Sequence, residues 1–133
     1  MKFFENMTTD QARMLSPLSL AFVGDAVYTL YARAKVIQHS DAKNGVLHIE
    51  ATKLVKASGQ AEFADAILDL LTEEEMSIFK RARNSKMHTM AKNASVGDYK
   101  KATGFEALIG FLYLTGQDER IKYLLERGNI CQQ

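Results

Sequence analysis

Two carboxylates in this chain stand where a charge is costly to keep. Asp25 is the single acid of "SLAFVGDAVYTLYARAK", which begins at Ser19, and Glu106 is the single acid of "GFEALIGFLYL". Helical positions advance by about 100° each, so the first run sets Leu20, Val23, Val27, Leu30 and Ala34 on one stripe with Asp25 nearly opposite. An amphipathic helix is polar on that side, yet Asp25 is flanked there by Ala21, Phe22, Tyr28 and Ala32. A helix apolar all round is expected to be central and buried, which makes its acid face other protein or a cleft. Glu106 has Phe105, Leu108, Ile109, Leu112 and Tyr113 around it and no base within the following turn. An unpaired carboxylate in such surroundings is strongly destabilising, and two held together raise each other's pKa.

A divalent cation removes the conflict. Mg2+ suits one or two carboxylates completed by water and phosphate oxygens. Asp25 and Glu106 are therefore the candidate catalytic and metal-binding residues, and Mg2+ is the candidate cofactor. Gly24 beside Asp25 and Gly110 one turn beyond Glu106 are small enough to let two helix backbones approach, at about 1 kcal/mol each against Ala. A structural reading competes with this one: Asp25 caps a helix or meets a distant Arg, and Glu106 pairs with Lys100 or Lys101.

Charge is unevenly spread. Residues 80–101 carry seven bases, Lys80, Arg81, Arg83, Lys86, Lys92, Lys100 and Lys101, against the single acid Asp98. The chain as a whole is at only +1, so the remainder is acidic. A positive segment leading into the Glu106 helix would attract a phosphate backbone. Arg81, Arg83, Lys86 and Lys92 are the candidate phosphate contacts, and Asn84 and Asn93 add hydrogen bonds to phosphate or 2′-hydroxyl oxygens. A solvated loop with ordinary surface lysines is the alternative. His39, His48 and His88 lack a metal-ligand spacing, Ser58 and Cys131 have no neighbouring base, and there is no phosphate-binding glycine loop.

The elements that must position these groups are helical. Period-2 alternation is almost absent, so the fold class expected is all-α, with residues 1–133 forming a single domain. Ser16 followed by Pro17 starts a helix through Asp25 to about His39, and "SDAKNG" breaks it. A second helical region runs from about Gly45 to Gly59 and a third covers "QAEFADAILDLL". Thr72 and Glu75 form a capping box for "EEEMSIFKRARN". "SKMHTMAKNASVGD" reads as one long loop, a length that more often serves function than packing. "YKKATGFEALIGFLYLTG" and "QDERIKYLLER" follow, the latter closed by Gly128 as a C-terminal cap. A single cysteine excludes a disulfide framework, and no apolar run reaches the ~18 residues of a membrane span. With no secretion signal in "MKFFENMTTDQ", a cytoplasmic protein is expected.

These motifs resemble the ribonuclease III family. "LAFVGDAVYTLYAR" is similar to the family signature, in which Gly-Asp opens a run of small and apolar residues, and "FEALIGFLYL" is similar to its second acidic motif. The resemblance spans nearly the whole chain, "LVKASGQAEF" included. Ala21 and Thr103 stand where full-length members carry two further acids, and the family's double-stranded RNA-binding domain is absent. With "KRARNSK" ahead of the second motif, the pattern resembles the short bacterial group, the Mini-ribonucleases III. The resemblance implies a helical ribonuclease III endonuclease domain, a homodimer, and Mg2+-dependent cleavage of double-stranded RNA at the ends of the 23S ribosomal RNA precursor. It further implies that residues 80–101 take over work of the missing domain, and the thinned acid set makes a large-subunit ribosomal protein that presents the RNA a candidate partner. The rival is a non-catalytic RNA-binding ribosome-assembly protein of the same fold.

Overall fold

The longest buried run belongs to one helix against which most of the others pack. In the computed structural model, which describes residues 3–39, 44–85 and 95–131, the chain folds as α1 (Thr9–Arg13), α2 (Pro17–His39), α3 (Asn44–Val55), α4 (Ala57–Ile67), a 3-10 turn (Leu68–Leu70), α5 (Glu73–Arg83), α6 (Val96–Leu114) and α7 (Asp118–Cys131). No strand occurs among the described residues, and the class is all-α as expected. None of their helices is long and apolar enough to cross a membrane.

α6 is the axle. Residues 102–105 and 107–112 are buried, with Phe105, Leu108, Ile109, Phe111 and Leu112 fully so. Each such side chain stabilises the fold by roughly 1.5–3 kcal/mol. α2 packs most extensively against it, α5 and α4 cover its other sides, and α7 closes over α4 and α6. Tyr28 of α2 sets its ring edge-on to Phe105 of α6 at 5.0 Å and to Phe63 of α4 at 5.6 Å, so one aromatic cluster ties three helices together.

The boundaries follow local chemistry. α2 begins at Pro17, with Ser16 Oγ accepting from the Ser19 amide. Thr72 and Glu75 cap α5 reciprocally at 2.9 and 3.1 Å. α1 is an element the periodicity does not announce, and its signal is the same box in another spelling, Thr8 with Gln11. The helical region expected over 45–59 ends earlier, at Val55. Lys56 is extended there, Gln60 Nε2 donates to the Val55 carbonyl at 2.7 Å, and Gly59 presses on the Lys53 and Leu54 carbonyls, so the chain turns at once into α4. α6 starts at Val96, inside the stretch read as loop, because Ser95 Oγ accepts from the Asp98 amide. The core of that loop, residues 86–94, lies outside the described residues.

Two expectations are corrected. Gly128 does not end the last helix, which continues to Cys131; the glycine is there because the Phe63 ring of α4 occupies the space a Cβ would need. α2 is not buried all round either. Its buried arc is Leu20, Ala21, Gly24, Tyr28, Ala32 and Val36, whereas Leu18, Phe22, Leu30 and Ile37 are exposed, Phe22 by 81% and Leu30 by 70%.

Candidate active site

Asp25 comes from the middle of α2 and Glu106 from the middle of α6. Those two helices are held apart by no side chain at their crossing: Gly24 lies against the main chain of Glu106 and Gly110, and Gly110 against that of Leu20 and Gly24. The glycines permit the approach, and the Tyr28–Phe105 contact pins it one turn beyond Asp25 and one residue before Glu106. Asp25 sits exposed at the border of the α2 buried arc, and Glu106 is half-buried beneath it. Their side chains are close enough for Asp25 to act on the Glu106 carboxyl.

The pair is electrostatically strained. Burial first, then the hydrogen bond and charge of Asp25, push Glu106 up to about 9, so without a cation it is protonated at neutral pH. Lys101, one of the two lysines considered as a partner for Glu106, turns instead to Asp65 of α4 at 2.9 Å. Among the described residues no group of three Asp, Glu, His or Cys side chains converges. Ala21 and Thr103, one turn before the two acids, are buried, and the Thr103 hydroxyl donates to the Tyr99 carbonyl at 3.0 Å. Protein thus offers two carboxylates, an all-oxygen donor set that fits a hard cation completed by water and phosphate oxygens.

A stability test follows from this burial. A carboxyl with a raised folded pKa keeps its full stability contribution below the unfolded value of 4.5 and loses it as pH climbs toward about 9. In chelator, wild-type stability should therefore fall across neutral pH. Glu106→Gln should flatten that slope and raise the melting temperature at pH 8 by several degrees, roughly 1 kcal/mol being worth ~3 °C or more in a domain of this size. Thermal unfolding of both proteins from pH 5 to 9 checks it; parallel curves would show that Glu106 is not under this strain.

The basic residues are distributed unequally. Arg81 spends its guanidinium on the main chain, donating to the Arg13 and Leu15 carbonyls at 3.0 and 2.8 Å, and so clasps the α1–α2 connection. Arg83 lies over the Phe79 ring and donates Nε to Asn84 Oδ1 at 3.2 Å. Lys86, Lys92 and Asn93 lie outside the described residues. The ion pair that matters most to the fold is one the sequence hides: Arg120 of α7 grips the buried Glu75 of α5 through two bonds of 2.8 and 2.7 Å.

Known proteins share both the sequence and the fold. A family model described as Ribonuclease III domain matches residues 18–117. A protein from Thermoanaerobacter sp. (strain X514) named Mini-ribonuclease 3 is 50% identical over 129 residues, 95% of this chain and 91% of that protein. A Mini-ribonuclease 3 from Staphylococcus aureus is 40% identical, covering 92% of this chain and 93% of its own. A crystal structure of a protein from Fusobacterium nucleatum superimposes with a TM-score of 0.79 at 36% identity, over 90% of this chain and 93% of that one.

Proposed function

Because the chain belongs to the ribonuclease III domain family, we propose that it is a Mg2+-dependent endoribonuclease that cuts double-stranded RNA, its cellular substrate being the ends of the 23S ribosomal RNA precursor in the cytoplasm. The observation that carries this reading is the meeting of Asp25 and Glu106 across the α2–α6 crossing. Asp25 and Glu106 would hold Mg2+, which when bound would supply Lewis acidity for attack of water on a scissile phosphate. Asp25, at the protein surface, presents its charge toward the RNA strand. Glu106, half-buried and raised by burial and by Asp25, would have to give up its proton to serve as the second ligand. The chain's part is orientation: in-line attack expels the 3′ oxygen and leaves 5′-phosphate and 3′-hydroxyl ends.

Substrate binding falls to the basic region. Arg83, Asn84, Lys86, Lys92 and Asn93 contact phosphate and sugar oxygens, and Arg81 reaches phosphate only by giving up carbonyl bonds it makes in the free protein. With only two carboxylates per site, a ribosomal protein that holds the duplex in place is a fitting partner.

The exposed face of α2 supports a homodimer. Leu18, Phe22, Leu30 and Ile37 recur at helical spacing on one side, and a contiguous apolar patch of this kind marks a protein interface. Asp25 borders it, so a two-fold axis there sets two active sites side by side for the two strands of a duplex. Leu30→Asp should convert the protein to monomer, halving the mass seen by light scattering, while the helical circular dichroism is kept. An unchanged mass would move the interface elsewhere.

Incubating the protein with an end-labelled duplex, with and without Mg2+, tests the function as a whole. Cleavage that needs Mg2+ and leaves 5′-phosphate ends is expected. Tight binding without cleavage would favour the non-catalytic assembly protein.

A further inference from the structure

The carboxylate pair meets at the closest approach of two helix backbones, and the coincidence is structural. A Cβ on Gly24 would collide with the Glu106 carbonyl oxygen and lie 2.9 Å from the Gly110 nitrogen. A Cβ on Gly110 would collide with the Leu20 carbonyl oxygen and lie 3.0 Å from the Gly24 nitrogen. The contact is reciprocal and spans one turn of each helix. Asp25 directly follows Gly24, and the carbonyl pressed against Gly24 belongs to Glu106 itself.

We infer that Gly110, together with Gly24, is a positioning residue whose lack of a side chain fixes the separation of the Asp25 and Glu106 carboxylates and thereby the ability of the pair to hold one dication. This rests on the reading of that pair as the metal site. Asp has one methylene to reach with and Glu two, so the carboxyls meet only if the backbones are close. Packed helices usually lie about 8–10 Å apart, and a methyl group at Gly110 would drive these two apart by on the order of 1 Å before it cleared the opposing main chain. Metal and catalytic constellations tolerate only ~0.5 Å of such displacement. Gly128 is a useful contrast, since a Cβ there meets the Phe63 ring rather than backbone and lies on α7.

The test is binding of Mn2+ to the RNA-free protein, read from the loss of the free-ion paramagnetic resonance signal. Gly110→Ala should weaken binding at least tenfold. Gly128→Ala should lose stability but bind as wild type, which separates spacing from general damage. Asp25→Glu should also weaken binding, because its extra methylene overreaches a gap set for Asp. In the Gly110→Ala background the same Asp25→Glu change should instead restore affinity, a reversal of sign that a merely structural glycine cannot produce. Wild-type affinity in Gly110→Ala, or additive effects in the double variant, overturns the spacing role. If circular dichroism shows Gly110→Ala unfolded, Asp25→Glu alone decides, and undiminished affinity there overturns it. Wild-type protein that takes up no Mn2+ sinks the metal-site reading itself, a result distinct from wild-type binding that Gly110→Ala leaves intact.

Discussion

Asp25→Asn should abolish cleavage while leaving the fold and the grip on RNA in place. Asn matches Asp in shape, so the α2–α6 crossing is undisturbed. It removes the exposed half of a carboxylate pair that must be negative to hold a cation, and with it a transition-state stabilisation of several kcal/mol. At 1.36 kcal/mol per decade, a loss of about 4 kcal/mol corresponds to roughly a thousandfold fall in kcat. Burial is the largest cause of the rise of Glu106 to about 9, but the Asn amide removes the part that the Asp25 carboxyl adds, so thermal stability in chelator should hold or improve. Single-turnover cleavage of a labelled duplex, with duplex affinity measured in Ca2+, checks both halves. Activity above a tenth of wild type would remove Asp25 from the centre of the chemistry, and a parallel loss of RNA affinity would make it a binding residue.

That the sequence points to Asp25 and Glu106 has a simple physical basis. Each is the one acid in an apolar run long enough to be core, which singles both out, although the fold buries only Glu106, in part, and leaves Asp25 exposed. What sequence could not supply is phase. α2 is apolar on every side, so helical spacing alone does not say which arc meets α6. Of the stripe of Leu20, Val23, Val27, Leu30 and Ala34 the fold buries Leu20, beside the small-residue arc containing Ala21, Gly24 and Ala32, and leaves Leu30 and Ala34 in the open. Close backbone approach selects small residues over large ones, and the larger apolar side chains are left to a second surface. The same preference explains Gly128, which reads as a helix stop and is instead a space for Phe63. Local capping chemistry was more legible: Ser16-Pro17, Thr72 with Glu75, and, once its spelling is known, Thr8 with Gln11 all mark helix starts where the structure has them.

Long-range pairing is the part that no local pattern reports, and Arg120 with Glu75 is the case with the largest consequence for stability. Forty-five residues separate them. Glu75 reads as a capping residue, which it is, yet its side chain is only 5% exposed. Burial pushes its carboxyl up, but hydrogen bonds from Arg120 and Thr72 and the Arg120 charge outweigh burial and hold it below the usual range. Arg120 also donates to the Leu70 carbonyl at 2.7 Å, satisfying the 3-10 turn before α5. Truncating it strands a buried carboxylate and a carbonyl together. Arg120→Ala should therefore cost about 3–5 kcal/mol, the usual penalty for breaking a buried pair from one side, and denaturant unfolding at pH 7 measures it. The pH dependence supplies a second signature. A depressed carboxyl contributes its stability above the unfolded value of 4.5 and loses it as pH falls through the lower folded value, so the deficit of Arg120→Ala against wild type should shrink on acidification. Replacing both partners, Glu75→Leu with Arg120→Met, should recover much of the loss, since a buried ion pair is often matched by well-packed apolar groups. About 1–3 kcal/mol should stay missing, because the Thr72 amide loses the acceptor of its capping box and the Leu70 carbonyl loses its donor. A double variant no more stable than Arg120→Ala would mean that α7 is held to α5 by the charges themselves rather than by the space they fill.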